Sequence, residues 1–101
     1  MKKIINGKKY DTETARVIGS YDNNMNYSDF RWYEETLYRK KNGEFFMYGE
    51  GGGLSPYRKR YADGWGEGSQ LILVTEDDAK AWVEKHLSYE DYVDLFGEPE
   101  E

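Results

Sequence analysis

The chain has 101 residues, no cysteine and a net charge of −6. That length fits one domain, the missing cysteines exclude disulfides, thiolate metal sites and thiol catalysis, and no apolar run approaches the roughly 20 residues of a membrane helix. Ten tyrosines, four phenylalanines and three tryptophans predict an aromatic core, in which each Tyr or Trp brings a polar end that needs a partner or water.

In chain order, Lys2–Ile5 and Lys8–Tyr10 flank Asn6-Gly7, a pair suited to the type I′ hairpin turn because both central residues need positive φ. Asp11 or Thr12 is expected to cap a short helix over Glu13–Ile18, with Gly19 ending it. Ser20–Ser28 is polar and turn-rich, and reads as a loop. A second hairpin joins Phe30–Lys40 to Glu44–Tyr48 across Asn42-Gly43. A two-residue loop there pairs Lys41 with Glu44, Tyr38 with Met47 and Leu37 with Tyr48. Phe30, Trp32, Tyr38, Phe45 and Met47 then share one face, and Tyr33, Leu37, Phe46 and Tyr48 the other.

Gly49–Gly68 is rich in glycine and is expected to be largely irregular, while Gln70–Val74 reads as a short buried strand. Thr75 with Asp78 resembles a capping box, the Asp standing in for the usual Glu. Ala79, Trp82, Val83, His86 and Leu87 follow at helical spacing. Ser88 with Asp91 repeats the cap signal, Tyr89, Tyr92, Val93 and Phe96 form a second stripe, and Gly97 ends it. The expected organisation is a single domain over residues 1–97 with an acidic tail over 98–101. Its expected class is α+β: an antiparallel sheet built from two hairpins plus one further strand, with a short N-terminal helix and two C-terminal helices packed on one face. A sheet face left bare would offer a homodimer interface.

Few residues invite catalysis. His86 is the sole histidine, and its place beside Trp82 and Val83 reads as the border of a core. No nucleophile-elbow motif accompanies it. Asp77-Asp78 and Glu90-Asp91 fall in first helical turns, where negative charge suits the helix dipole. Glu34-Glu35 alternate across a strand and cannot act as a dyad. Gly49-Glu50-Gly51-Gly52-Gly53 lacks the Lys and Ser/Thr of a phosphate loop, and Glu50 would repel phosphate. No metal motif is present, and neither an enzyme activity nor a cofactor is expected. Without cysteines, and with Asn6-Gly7-Lys8-Lys9 cutting short any signal-like apolar run, a cytoplasmic location is expected.

Two charged features remain. Tyr57, Arg58, Lys59, Arg60 and Tyr61 place three cations between two aromatics, a composition able to grip phosphates and stack on bases; an ordinary solvated loop would also read this way. The second is the distribution of charge. Residues 1–75 hold 12 Lys/Arg against 10 Asp/Glu, whereas residues 76–101 hold two lysines against ten carboxylates. Such a field attracts a basic groove and repels free nucleic acid. Its expected contact residues are Asp77, Glu84, Glu90, Asp91, Asp94 and Glu98, with nearby aromatics as anchors.

The segments INGKKYDTETARVIG, DFRWYEETLYRKKNGEFFMYGEGG and EDDAKAWVEKHLSYEDYVDLFG resemble a family of short orphan proteins carried by conjugative elements, plasmids and phages of Gram-positive bacteria. Some small acidic proteins of these elements act as anti-CRISPR inhibitors of type II effector nucleases. The resemblance implies a non-enzymatic inhibitor whose acidic helices mimic nucleic acid toward a basic protein partner. The alternative from the residues themselves is a nucleic-acid-binding accessory protein acting through Tyr57–Tyr61.

Overall fold

Asn6 and Gly7 take φ values of 53° and 77°, the left-handed pair of a type I′ turn. In the computed structural model, which describes residues Met1–Glu101, this turn joins β1 (Lys2–Ile5) to β2 (Lys8–Asp11), with Ile5 opposite Lys8. The class is α+β, with three antiparallel sheets and two helices. The first hairpin is a sheet of its own and adds no strand to the main one.

The helix expected over Glu13–Ile18 does not form. The Asp11 carboxylate accepts from the Glu13 N–H at 2.9 Å, as a cap would, and Ala15 N–H bonds Asp11 O at 3.1 Å. The turn then closes, and Arg16–Asp22 becomes strand β3. Val17, Ile18 and Tyr21 are strand formers, and Gly19 lies against Leu87, whose methyls would stand 2.8 Å from a Cβ there. Ser20–Asp22, read as loop, belongs to this strand.

Next come β4 (Tyr33–Arg39) and β5 (Phe45–Gly51). Their turn is longer than a two-residue loop. Gly43 N–H donates to Lys40 O at 2.9 Å, Lys40 N–H donates to Glu44 O at 2.8 Å, and Gly43 sits at φ 93°. This is a type I turn followed by a glycine bulge. The added residue sets Leu37 opposite Met47 and Tyr38 opposite Phe46, one step from the expected register, and a one-residue slip exchanges a strand's faces. Leu37 therefore joins Phe45 and Met47, while Tyr38 stacks on Phe46 at 5.1 Å.

Gly49–Gly68 is more regular than its composition suggests. β5 runs on to Gly51, and β6 (Lys59–Tyr61) and β7 (Gly64–Gly66) form a small hairpin. β8 (Gly68–Val74) pairs with β5, which completes the sheet order β3-β4-β5-β8. β8 is an edge strand in which only Leu71 is fully buried, a correction to its reading as a buried strand.

Thr75 Oγ1 accepts from Asp78 N–H at 3.1 Å and starts α1 (Glu76–His86). Ser88 and Asp91 form a complete reciprocal capping box for α2 (Tyr89–Phe96), and Gly97 caps its end at φ 85°. Ala79 and Val83 pack with Leu37, Phe45 and Met47 on one face of the sheet. On the opposite face Tyr10 packs with Phe46 and Leu71, and Ile5 and Ala15 close around them. The first hairpin thus covers the face that could have been bare. Complete burial of Leu37, Phe46 and Val83 contributes roughly 1.5–3 kcal/mol each.

Candidate functional site

Helical periodicity decides where the acidic residues point. With Ala79 and Val83 directed into the core, Asp77 and Glu84 fall on the outer face of α1. With Tyr92, Val93, Leu95 and Phe96 turned inward, Glu90, Asp91 and Asp94 are exposed on α2, and Glu98 follows past the helix end. All six residues expected to contact a partner are solvent-exposed. Of the ten carboxylates after Val74, one has a cation within 4.0 Å: Asp94, at 4.0 Å from Arg16. Lys80 lies over the Phe96 ring at 5.6 Å, which turns its charge toward α2 without an ion pair. The face is acidic and largely uncompensated.

Between the two helices lies a groove of about 320 Å³, lined by Glu84, Leu87, Ser88, Tyr89, Tyr92 and Pro99. The Tyr89 hydroxyl donates to the Glu98 carboxylate, and this bond raises the phenol above its ordinary value of 10.0. Asp91 differs from its acidic neighbours, because its carboxylate accepts from the Ser88 N–H at 3.3 Å and so holds the start of α2. The groove joins an apolar floor to an acidic rim, an arrangement suited to a side chain with an apolar stem and a cationic head. The spacing of Glu84, Tyr89 and Tyr92 contains the groove, yet its closure by Pro99 depends on where the tail folds.

The basic segment divides. Tyr57 is 7% exposed; its hydroxyl donates to Glu35 Oε2 and lies 3.9 Å from Met47 Sδ. Burial first, then the Glu35 carboxylate, pushes the Tyr57 phenol far above its ordinary range. Tyr57 is therefore part of the interior and unable to stack on a base. Arg58, Lys59, Arg60 and Tyr61 remain exposed on the hairpin arm β6 and its approach. Arg58 and Arg60 lie 4.9 Å and 5.5 Å over the ring of Trp65 on β7, and Lys59 lies 5.8 Å over Tyr61. Trp65 is 55% exposed and was no part of the sequence expectation. The Asp63-Gly64 pair signals a hairpin but would set Trp65 opposite Ala62; the turn instead falls on Ala62-Asp63 and pairs Trp65 with Arg60.

Glu35 is the other residue whose role the sequence hides. From the middle of β4 it accepts from Tyr57 and, at 3.2 Å, from Trp82 Nε1. His86 packs 4.0 Å from the Tyr21 ring and 5.1 Å from Trp82. Burial lowers its pKa below the ordinary 6.5, opposed by Glu35 and assisted by Lys85.

No protein-family model, curated protein or solved structure matches the chain. No helix is long and apolar enough to cross a membrane.

Proposed function

We propose that this chain is a non-enzymatic binding protein whose acidic C-terminal helices engage a basic, nucleic-acid-handling protein. The reading extends the sequence resemblance to proteins of mobile elements: the partner is a type II CRISPR effector nuclease, and the acidic face occupies a channel that otherwise receives a phosphate backbone. One observation carries it. The outer faces of α1 and α2 hold Asp77, Glu84, Glu90, Asp91 and Asp94, and Glu98 follows α2, with a single distant ion pair among them; Glu84 lines a partly apolar groove between the helices, and Glu98 bonds its Tyr89. Unpaired charge speeds and orients encounter, and the apolar floor supplies short-range anchoring.

The test uses Asp77→Asn, Glu84→Gln, Glu90→Gln and Asp94→Asn together, leaving Asp91 in place because it caps α2. Cleavage by a purified, guide-loaded type II effector nuclease is titrated with both proteins. Wild type is expected to inhibit, more weakly as salt rises. Four rim charges of about 0.5 kcal/mol each correspond to a loss of roughly 30-fold in the variant. No inhibition by wild type removes the nuclease as target, and equal inhibition by both proteins removes the acidic face.

A second reading, a nucleic-acid-binding accessory protein, draws on the exposed Trp65 indole with the Arg58 and Arg60 guanidiniums 4.9 Å and 5.5 Å from its ring centre. It uses Arg58, Lys59, Arg60 and Tyr61, with Trp65 in the stacking role first given to Tyr57.

A further inference from the structure

The two edges of the four-stranded sheet differ in how they meet solvent. β3 begins with Arg16, ends with Asp22 and carries a bulge between Val17 and Gly19. Charges and bulges of this kind discourage a further strand from adding. β8 reads Gly-Ser-Gln-Leu-Ile-Leu-Val, with no charge and no proline, and its register against β5 is unbroken from Gly68 to Val74. No backbone bond outside the ladder reaches these seven residues.

Which groups face outward follows from the turn. The Lys40–Glu44 bond makes that pair a hydrogen-bonded one. Antiparallel alternation then turns the backbone groups of Phe45, Met47, Gly49 and Gly51 toward β8. Their partners Val74, Ile72, Gln70 and Gly68 bond back to β5. The N–H and C=O of Ser69, Leu71 and Leu73 point away from the sheet, and the Leu73 side chain is 42% exposed.

We infer that this edge pairs with the same edge of a second copy, antiparallel and centred on Leu71, to form one continuous eight-stranded sheet. Ser69 then faces Leu73 of the other copy, Leu71 faces Leu71, and Gly68 lies opposite Val74. The charges at the two ends of β8 select this occupant. At the Gly68 end lies Lys59, whose Cβ would be 3.0 Å from a Cβ on Gly68, and the three cations Arg58, Lys59 and Arg60 outnumber Glu67 and Glu50, the residue paired with Ser69. At the Val74 end α1 opens with Glu76, Asp77 and Asp78. A two-fold axis through Leu71 sets each basic end against an acidic one. The uncharged strand between them lets two chains of charge −6 approach without like charges in the ladder. An extended peptide of unrelated sequence would match the backbone groups but not both ends.

Sedimentation equilibrium of the full chain, from micromolar to millimolar, reads the result. The mass is expected to rise from 11.9 kDa toward twice that value. Leu73→Lys sets a charge on the edge in both copies and is expected to weaken the dimer about tenfold, with an unchanged circular dichroism spectrum showing that the fold survives. Ser69→Glu combined with Leu73→Lys places each lysine opposite a glutamate and is expected to recover most of the loss. A wild-type mass that stays at the monomer value to millimolar concentration overturns the inference. So does a Leu73→Lys variant that dimerises as well as wild type.

Discussion

The Trp82 indole N–H donates to Glu35 Oε1 across 3.2 Å and so ties α1 to the middle of β4. The other oxygen of the same carboxylate accepts from Tyr57, which ties down the loop before β6. One side chain thereby satisfies two aromatic donors from segments 22 and 47 residues away. Glu35→Ala would leave both donors without their acceptor. The expected cost is about 2 kcal/mol, or roughly a 10 °C fall in melting temperature for a domain of this size. Glu35→Gln keeps one carbonyl acceptor and should lose less. Urea unfolding of the two variants with an unchanged slope checks this; equal stability of Glu35→Ala and wild type would show the bonds to be dispensable.

Gly49 admits Tyr57 by having no side chain. A Cβ at position 49 would stand 2.0 Å from the Tyr57 ring, so Gly49→Ala must move a buried aromatic. We expect a loss of about 3 kcal/mol. Adding Tyr57→Leu to Gly49→Ala should recover part of it, because the two changes share one contact. A purely additive double variant would contradict the packing described above.

His86 gives stability an acid-side dependence. Its folded pKa lies below the ordinary 6.5 because burial disfavours the imidazolium. Below pH 6.5 the unfolded chain therefore binds more protons at this residue than the folded one, and stability falls as pH falls. Above that value the imidazole is neutral in both states and the dependence vanishes. His86→Phe removes the titration, so its stability should change less than wild type's between neutral pH and the range below 6.5. Parallel pH profiles for the two proteins would count against burial as the cause.

The basic hairpin separates the two functional readings. If Arg58, Lys59 and Arg60 each meet a phosphate, binding to single-stranded DNA should fall with salt at a log–log slope of roughly −2. Replacing the three by alanine should abolish it. Trp65→Ala should weaken binding by the roughly 1–3 kcal/mol of a base–aromatic stack. Absence of any shift with wild type at low salt removes the nucleic-acid reading and leaves the acidic face untouched.

What the sequence determined by itself was set within a few residues. Asn6-Gly7 specifies its turn because both positions need positive φ. Thr75 and Ser88 start their helices through bonds to N–H groups three residues on, and the excess of carboxylates after Val74 needs no structure to be counted. The exposure of Asp77, Glu84, Glu90 and Asp94 follows from helical periodicity once the apolar stripe is known.

Tertiary structure decided the rest, through contacts distant in sequence. Asp11 makes its capping bond to Glu13, yet Arg16–Asp22 is a strand, because β4 offers it a ladder and Leu87 packs where a Gly19 side chain would be. The bulge at Gly43 moved the central register by one residue and exchanged the faces of β4. Tyr57 reads as a surface aromatic beside three cations, and it is buried because Glu35 accepts its hydroxyl and Gly49 leaves it room. Hydrogen bonds to near neighbours can be read from spacing alone. A strand's partner, and with it the face that each side chain takes, is chosen among segments the chain brings together only by folding.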